Sequence, residues 1–208
     1  MYHLINSHID EILQSIRQDH VTDYDFLIQY IDRLQTPGYQ AIYKNYWRLN
    51  AARLSESFCR VYFDRLQAGL TGGMPQIGKL VRELHETPTH EAGRKSVQFS
   101  FCSKLCHMID RQIPLYDSRI RDFYFYIEPD RKLSLEQRVD GYVHFHNFLI
   151  DEYRRVLSER LLSGAIQAFR QRFGPKHFTD VKVIDSLIWA FTSLSESGGV
   201  AQRLIIYC

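Results

Sequence analysis

Apolar residues at helical spacing, interrupted again and again by short breakers, constrain this chain more than any other feature. Ile5, Ile9, Ile12 and Ile16 recur at four-three-four spacing, which lays one apolar stripe along a first helix of about four turns. Thr22 followed by Asp25 predicts a capping box for a second helix reaching Leu34, stopped by Pro37-Gly38. From Tyr39 to about Gln67 the pattern stays helical, with the point of interruption, if any, near Asn50. "GLTGGMP" is a breaker, and Pro75 suits the first turn of a short helix through Leu84. Beyond the polar loop "HETPTHEAGRK" the spacing predicts a helix over 97–110, an extended connection over 111–116 and a helix from Ser118 capped by Asp117.

"EPDRK" breaks the chain again. Ser134 with Gln137 opens a helix running to Leu157 or beyond, another reaches Phe173, and "FGPKHFT" ends it. Thr179 then starts a last helix, and "SGGVAQRLIIYC" reads as a tail packed on the body. No repeat, low-complexity segment or credible strand pair interrupts the series. The expectation is an all-α fold, one helical domain over 1–208, in two helical halves with a cleft near 97–121.

A hydrophobic share of 45% and a charged share of 24% are those of a soluble globular protein. No apolar run reaches the roughly 18–20 residues of a membrane span. "MYHLINSHIDEIL" lacks the features of a signal peptide, and the four cysteines (Cys59, Cys102, Cys106, Cys208) form neither a CxxC pair nor a zinc pattern. They read as buried thiols, and the setting as reducing and cytoplasmic. His144 and His146 are two apart, on different sides of a helix, so they do not predict a shared metal. Between Arg94 and Arg121, six positive residues (Arg94, Lys95, Lys104, Arg111, Arg119, Arg121) face two acids, Asp110 and Asp117. Such a patch suits phosphates, and equally a solvated face of mixed charge.

Within that patch, Lys104 sits on a helix whose neighbours Val97, Phe101, Leu105 and Met108 are apolar. A desolvated lysine has its charged form disfavoured and becomes a usable amine nucleophile. The plainer reading is a lysine whose head reaches water. Asp117 is foremost a helix cap, worth about 1 kcal/mol, and also a carboxylate placed to steady a developing cation or accept a proton.

"SKLCH" followed by "IPLYDSRIR" resembles the catalytic region of the helix-hairpin-helix DNA glycosylases, a mostly α-helical superfamily that includes the 8-oxoguanine and endonuclease III types. With "FSFCSKLCHMID" and the later "VIDSLIW", the chain is also similar to a little-described prokaryotic group carrying a "SFxSKxxHxxxP…PIYDSxV" motif. The resemblance implies base excision from DNA, with Lys104 as nucleophile in imine chemistry and Asp117 as its carboxylate partner. Beside the resemblance, Arg94, Lys95, Arg119 and Arg121 read as phosphate contacts or as partners of acids, and Tyr116 as a ring to stack on a base. Ser103, His107, Asp185 and Trp189 read as support for the site or, more plainly, as core and surface residues, and a lysine nucleophile needs neither metal nor organic cofactor. Ile120 matches the hydrophobic position after the aspartate, and Arg121 falls one residue before the usual arginine. "VQFSFCS" stands where the family has a glycine-bearing hairpin, and no four-cysteine loop follows. The alternative is a non-catalytic helical module that binds nucleic acid or protein, with Lys104 in a structural ion pair. A small-molecule enzyme using the lysine imine is a third. The lesion, the oligomer and the pathway are not written in the sequence.

Overall fold

The computed structural model describes residues 1–90 and 93–196. Among these the regular structure is eleven α-helices and one 3-10 turn, with no strand. In chain order they are α1 (Tyr2–Ser7), α2 (Ile9–Ser15), α3 (Gln18–Gln29), the 3-10 turn Ile31–Arg33, α4 (Pro37–Tyr46), α5 (Glu56–Gly72) and α6 (Ile77–His85). There follow α7 (Phe99–Ile109), α8 (Ser118–Phe123), α9 (Leu135–Ser158), α10 (Ser163–Phe173) and α11 (Asp180–Glu196). The fold is all-α, as expected. The expected C-terminal tail lies outside the described residues.

Five of the eleven α-helices among the described residues start on a side-chain cap. Thr36 caps α4 by accepting from the Tyr39 N–H, with Pro37 just inside the helix. Ser55 caps α5 through the Phe58 N–H. Ser134 and Gln137 form the full reciprocal capping box of α9. The Thr179 hydroxyl accepts from the Lys182 N–H at the head of α11. Gly174, at φ +55°, closes α10 in the left-handed conformation that glycine adopts at least cost.

Three expectations are corrected. The isoleucine stripe spans two short helices, because the chain departs from helical geometry at His8 and turns extended at Ile16. Ile5 and Ile12 are nonetheless fully buried. Thr22 is not a cap: α3 begins at Gln18, and the Thr22 hydroxyl donates to the Asp19 carbonyl inside it. Asp25 instead accepts the N–H groups of Lys176 and His177, pinning the α10–α11 connection to α3. Pro75 precedes α6, which begins at Ile77. The aromatic stretch after Tyr39 does break around Asn50, between Tyr46 and Glu56, without glycine or proline; Arg48 and Arg53 turn it in the left-handed region, at φ 63° and 51°.

One continuous core joins these helices. Helix α11 packs against α8, α2, α10, α9 and α1, while α7 packs against α5 and α6. The α5–α7 contact is close because Gly69 has no side chain: a Cβ there would lie 2.2 Å from the Ile109 Cδ1. Helices α7 and α11 are the most enclosed, with buried residues around their circumference. Each carries a buried lysine. No helix among the described residues is long and apolar enough to cross a membrane.

Candidate functional site

Lys104 lies in the second turn of α7 and is 9% exposed. Its Nζ donates to the backbone carbonyl of Trp47 at 3.4 Å and lies 5.0 Å from the centre of the Phe101 ring. That carbonyl is available because α4 ends there, leaving the last oxygens of the helix without intrahelical partners. The loop turned by Arg48 and Arg53 thus supplies the acceptor for the amine. Burial pushes the Lys104 amine toward its neutral form, and the charge of Asp117 pulls partly the other way.

Asp117 caps α8 by accepting the Ile120 N–H at 3.0 Å, as the sequence predicts. Asp117 and Lys104 form no ion pair within 4 Å among the described residues. They are close enough for the charge of one to act on the other, yet neither is consumed by the other.

The segment leading into Asp117 is held backbone group by backbone group. Where an extended connection was expected over 111–116, the chain turns at 111–113, runs without regular secondary structure over 114–117, and is extended at Asp117, at φ −150° and ψ 178°. His107 donates its Nδ1–H to the Ile113 carbonyl at 2.7 Å, which leaves Nε2 to accept from the Tyr24 hydroxyl at 2.8 Å. His146 donates from Nε2 to the Pro114 carbonyl at 2.9 Å. The Leu115 N–H points to the Asp185 carboxylate, with oxygens at 3.3 and 3.4 Å. The Ser103 hydroxyl accepts the Tyr116 N–H at 3.0 Å. Side chains from α7, α9 and α11 therefore fix four consecutive residues, and with them the position of Asp117. Buried polar backbone must be satisfied, and here it is satisfied from helices rather than from a neighbouring strand.

Asp185, 2% exposed, also accepts from the Tyr153 hydroxyl at 2.8 Å. Burial raises its pKa, holding the carboxyl toward its neutral form, against the opposing pull of Lys182 and of these hydrogen bonds. Lys182, one turn earlier on α11, is 3% exposed. Its Nζ lies 5.2, 5.8, 5.3 and 5.9 Å from the ring centres of Tyr24, Tyr46, Trp47 and Phe178. It makes no hydrogen bond or ion pair among the described residues, so ring faces are its main local partners. Burial lowers its basicity, opposed by Asp185 and Asp117 and assisted by Lys104. Sequence reasoning missed Lys182, although the signal was the one that drew attention to Lys104: a lysine between apolar residues, Val181 and Val183.

Among the residues proposed from sequence, the fold brings together Lys104, Asp117, Ser103, His107 and Asp185. The remainder lie apart from that group or are engaged elsewhere. Tyr116 is buried against Phe99, Tyr142 and Phe145, and its hydroxyl donates to Glu128, so it offers no open face to a nucleobase. Lys95 pairs with Glu86, and Arg121 with Asp122 and Glu128. Arg119 stacks its guanidinium 4.1 Å above the half-exposed Trp189 ring and reaches Glu196 at 3.6 Å. Arg94 is exposed. Cys59, Cys102 and Cys106 are buried free thiols; Cys208 lies outside the described residues. His144 is exposed and His146 buried, and no group of three or more metal-ligating side chains is assembled among the described residues.

Comparison with protein families, with curated proteins and with solved structures finds no match. The chemistry of the buried cluster is therefore the basis for a functional reading.

Proposed function

We propose that this chain is a DNA glycosylase-like enzyme of helix-hairpin-helix type, diverged in its hairpin, that excises a base through lysine imine chemistry. The observation that carries this reading is a buried amine, Lys104, with no carboxylate within 4 Å, beside a carboxylate held rigidly at a helix start. Burial favours the neutral, nucleophilic amine, and a positioned carboxylate suits the cationic character that develops on the sugar as the base departs. In this mechanism the Lys104 nitrogen attacks the anomeric carbon, the glycosidic bond breaks, and Asp117 steadies the oxocarbenium-like state. Ring opening then leaves an imine between Lys104 and the sugar, from which the strand is cleaved.

A specific observation favours one alternative. Lys95, Arg119 and Arg121 each have an acidic neighbour within 4 Å, which weakens the case for a broad phosphate-binding face. A non-catalytic helical module on this scaffold would bind a partner without chemistry. The test is a single-turnover assay on duplexes that each contain one oxidised, alkylated or mispaired base. Glycosylase action predicts base release and strand cleavage by the wild type, slow release by Asp117→Asn, and no cleavage by Lys104→Met. Binding of duplexes with no release from any of them contradicts the proposal and favours the module.

A further inference from the structure

Two lysines are buried in this protein, and both meet Trp47: Lys104 at its carbonyl, Lys182 at its ring. One imine needs one amine. The role of the other follows from what surrounds it. A lysine retained only for packing gains little from its charge in an apolar helix, because a buried ammonium without acceptors loses its hydration. The faces of Tyr24, Tyr46, Trp47 and Phe178 offset part of that loss, but rings do not accept its N–H bonds as oxygens do.

The acids nearby do not fill that need. Asp185 directs its oxygens to the Tyr153 hydroxyl and the Leu115 N–H, one oxygen of Asp117 accepts from Ile120, and neither acid pairs with the Lys182 Nζ within 4 Å, although the charge of both acts on it. His107 is committed to Ile113 and Tyr24, and His20 to Tyr46. The Trp47 indole N–H is buried without a partner. Around Trp47 two donors, its indole N–H and the Lys182 amine, thus have no acceptor within hydrogen-bond reach among the described residues. Such a place is completed by an acceptor-only, negatively charged group.

We infer that the site takes an anionic carbonyl compound, an aldehyde or ketone carrying a phosphate or carboxylate, with Lys104 bonding the carbonyl carbon and Lys182 holding the anion. The inference rests on the reading of Lys104 as an imine-forming amine and adds the charge of what it bonds. An opened abasic sugar beside its phosphate has this chemistry, and so does a free 2-oxo acid or sugar phosphate. In the covalent step the neutral Lys104 nitrogen adds to the carbonyl carbon, giving a carbinolamine. The carbonyl oxygen then leaves as water with the two amine protons, forming the C=N bond. Lys182 gains hydrogen bonds to the anion and changes no covalent bond.

The test uses the whole chain with glyoxylate or acetaldehyde, each with cyanoborohydride as the reductant, and peptide mass spectrometry to locate the modified lysines. The glyoxylate-to-acetaldehyde ratio on Nα-acetyl-lysine gives the intrinsic preference of a free amine. At Lys104 the ratio is expected to exceed that value about tenfold, the size of a charge-assisted hydrogen bond. Lys182→Met should bring the ratio down to the free-amine value while acetaldehyde still modifies Lys104. Lys182→Arg, which keeps a charge and donors, should retain the preference. A free-amine ratio at Lys104 in the wild type, or an elevated ratio that survives Lys182→Met, overturns the anion role and leaves the imine reading standing. Failure of both aldehydes and of an abasic duplex to modify Lys104 overturns the imine reading and this inference together. Competition between glyoxylate and the duplex supports one shared site; trapping of the duplex unaffected by glyoxylate overturns it.

Discussion

The Lys104 side-chain nitrogen donates to the backbone carbonyl of Trp47, the residue at which α4 stops, and to no carboxylate within 4 Å. A lysine so placed costs stability, because a single hydrogen bond of 3.4 Å replaces its water. Lys104→Met, of similar length and no charge, is expected to raise stability by about 1–2 kcal/mol while abolishing any covalent chemistry. Urea denaturation of the two proteins measures this; a destabilised Lys104→Met would mean that the amine is there for structure.

Ser103 is expected to matter through Tyr116. Its hydroxyl is the partner of the buried Tyr116 N–H, and Ser103→Ala leaves that donor unsatisfied. The expected loss is about 1–3 kcal/mol. Hydrogen exchange should accelerate at Leu115 and Tyr116 before it does so in α9. Unchanged exchange there would contradict the view that side chains fix the approach to Asp117.

Acid should destabilise the fold through His107, which is buried, and His20, which is partly buried. Burial pushes His107 and His20 down to about 3 from an ordinary 6.5. Between those values the unfolded chain binds more protons than the native one, so stability rises with pH through this window and falls as pH drops below about 6.5. His107→Asn keeps a donor toward Ile113 and removes one titrating ring. The slope of stability against pH between 6.5 and 4 should therefore be shallower in His107→Asn than in the wild type. Equal slopes would contradict a buried neutral His107.

Arg48 and Arg53 hold left-handed backbone that favours glycine. Arg48→Gly is expected to raise the midpoint of thermal unfolding by a few degrees, as strain is relieved at an exposed position. A lowered midpoint would point to a contact of the Arg48 side chain that matters more than the backbone.

What the sequence made legible was mostly local chemistry. The Ser134–Gln137 box, the Thr179 start and the Asp117 cap depend on residues three apart, and all three form. The apolar neighbours of Lys104 left its burial open, and the plainer reading, a head that reaches water, is corrected: the amine is buried on the Trp47 carbonyl. The break after Tyr46 was not sharply placed, because arginines rather than glycine or proline make the turn. Tyr116 looked available for stacking because its position next to Asp117 says nothing of the rings from α7 and α9 that enclose it. Lys182 escaped because its partners, Tyr24, Tyr46 and Trp47, come from segments more than a hundred residues away. His146 was weighed for metal, whereas its function in the fold is to hold the Pro114 carbonyl.

The most direct test of the central claim is borohydride trapping on lesion-bearing and abasic duplexes, with the attachment point read by peptide mapping. The account predicts a covalent protein–DNA adduct at Lys104 that is absent from Lys104→Ala. Duplexes that bind without yielding an adduct, or an adduct that persists in Lys104→Ala, would contradict it.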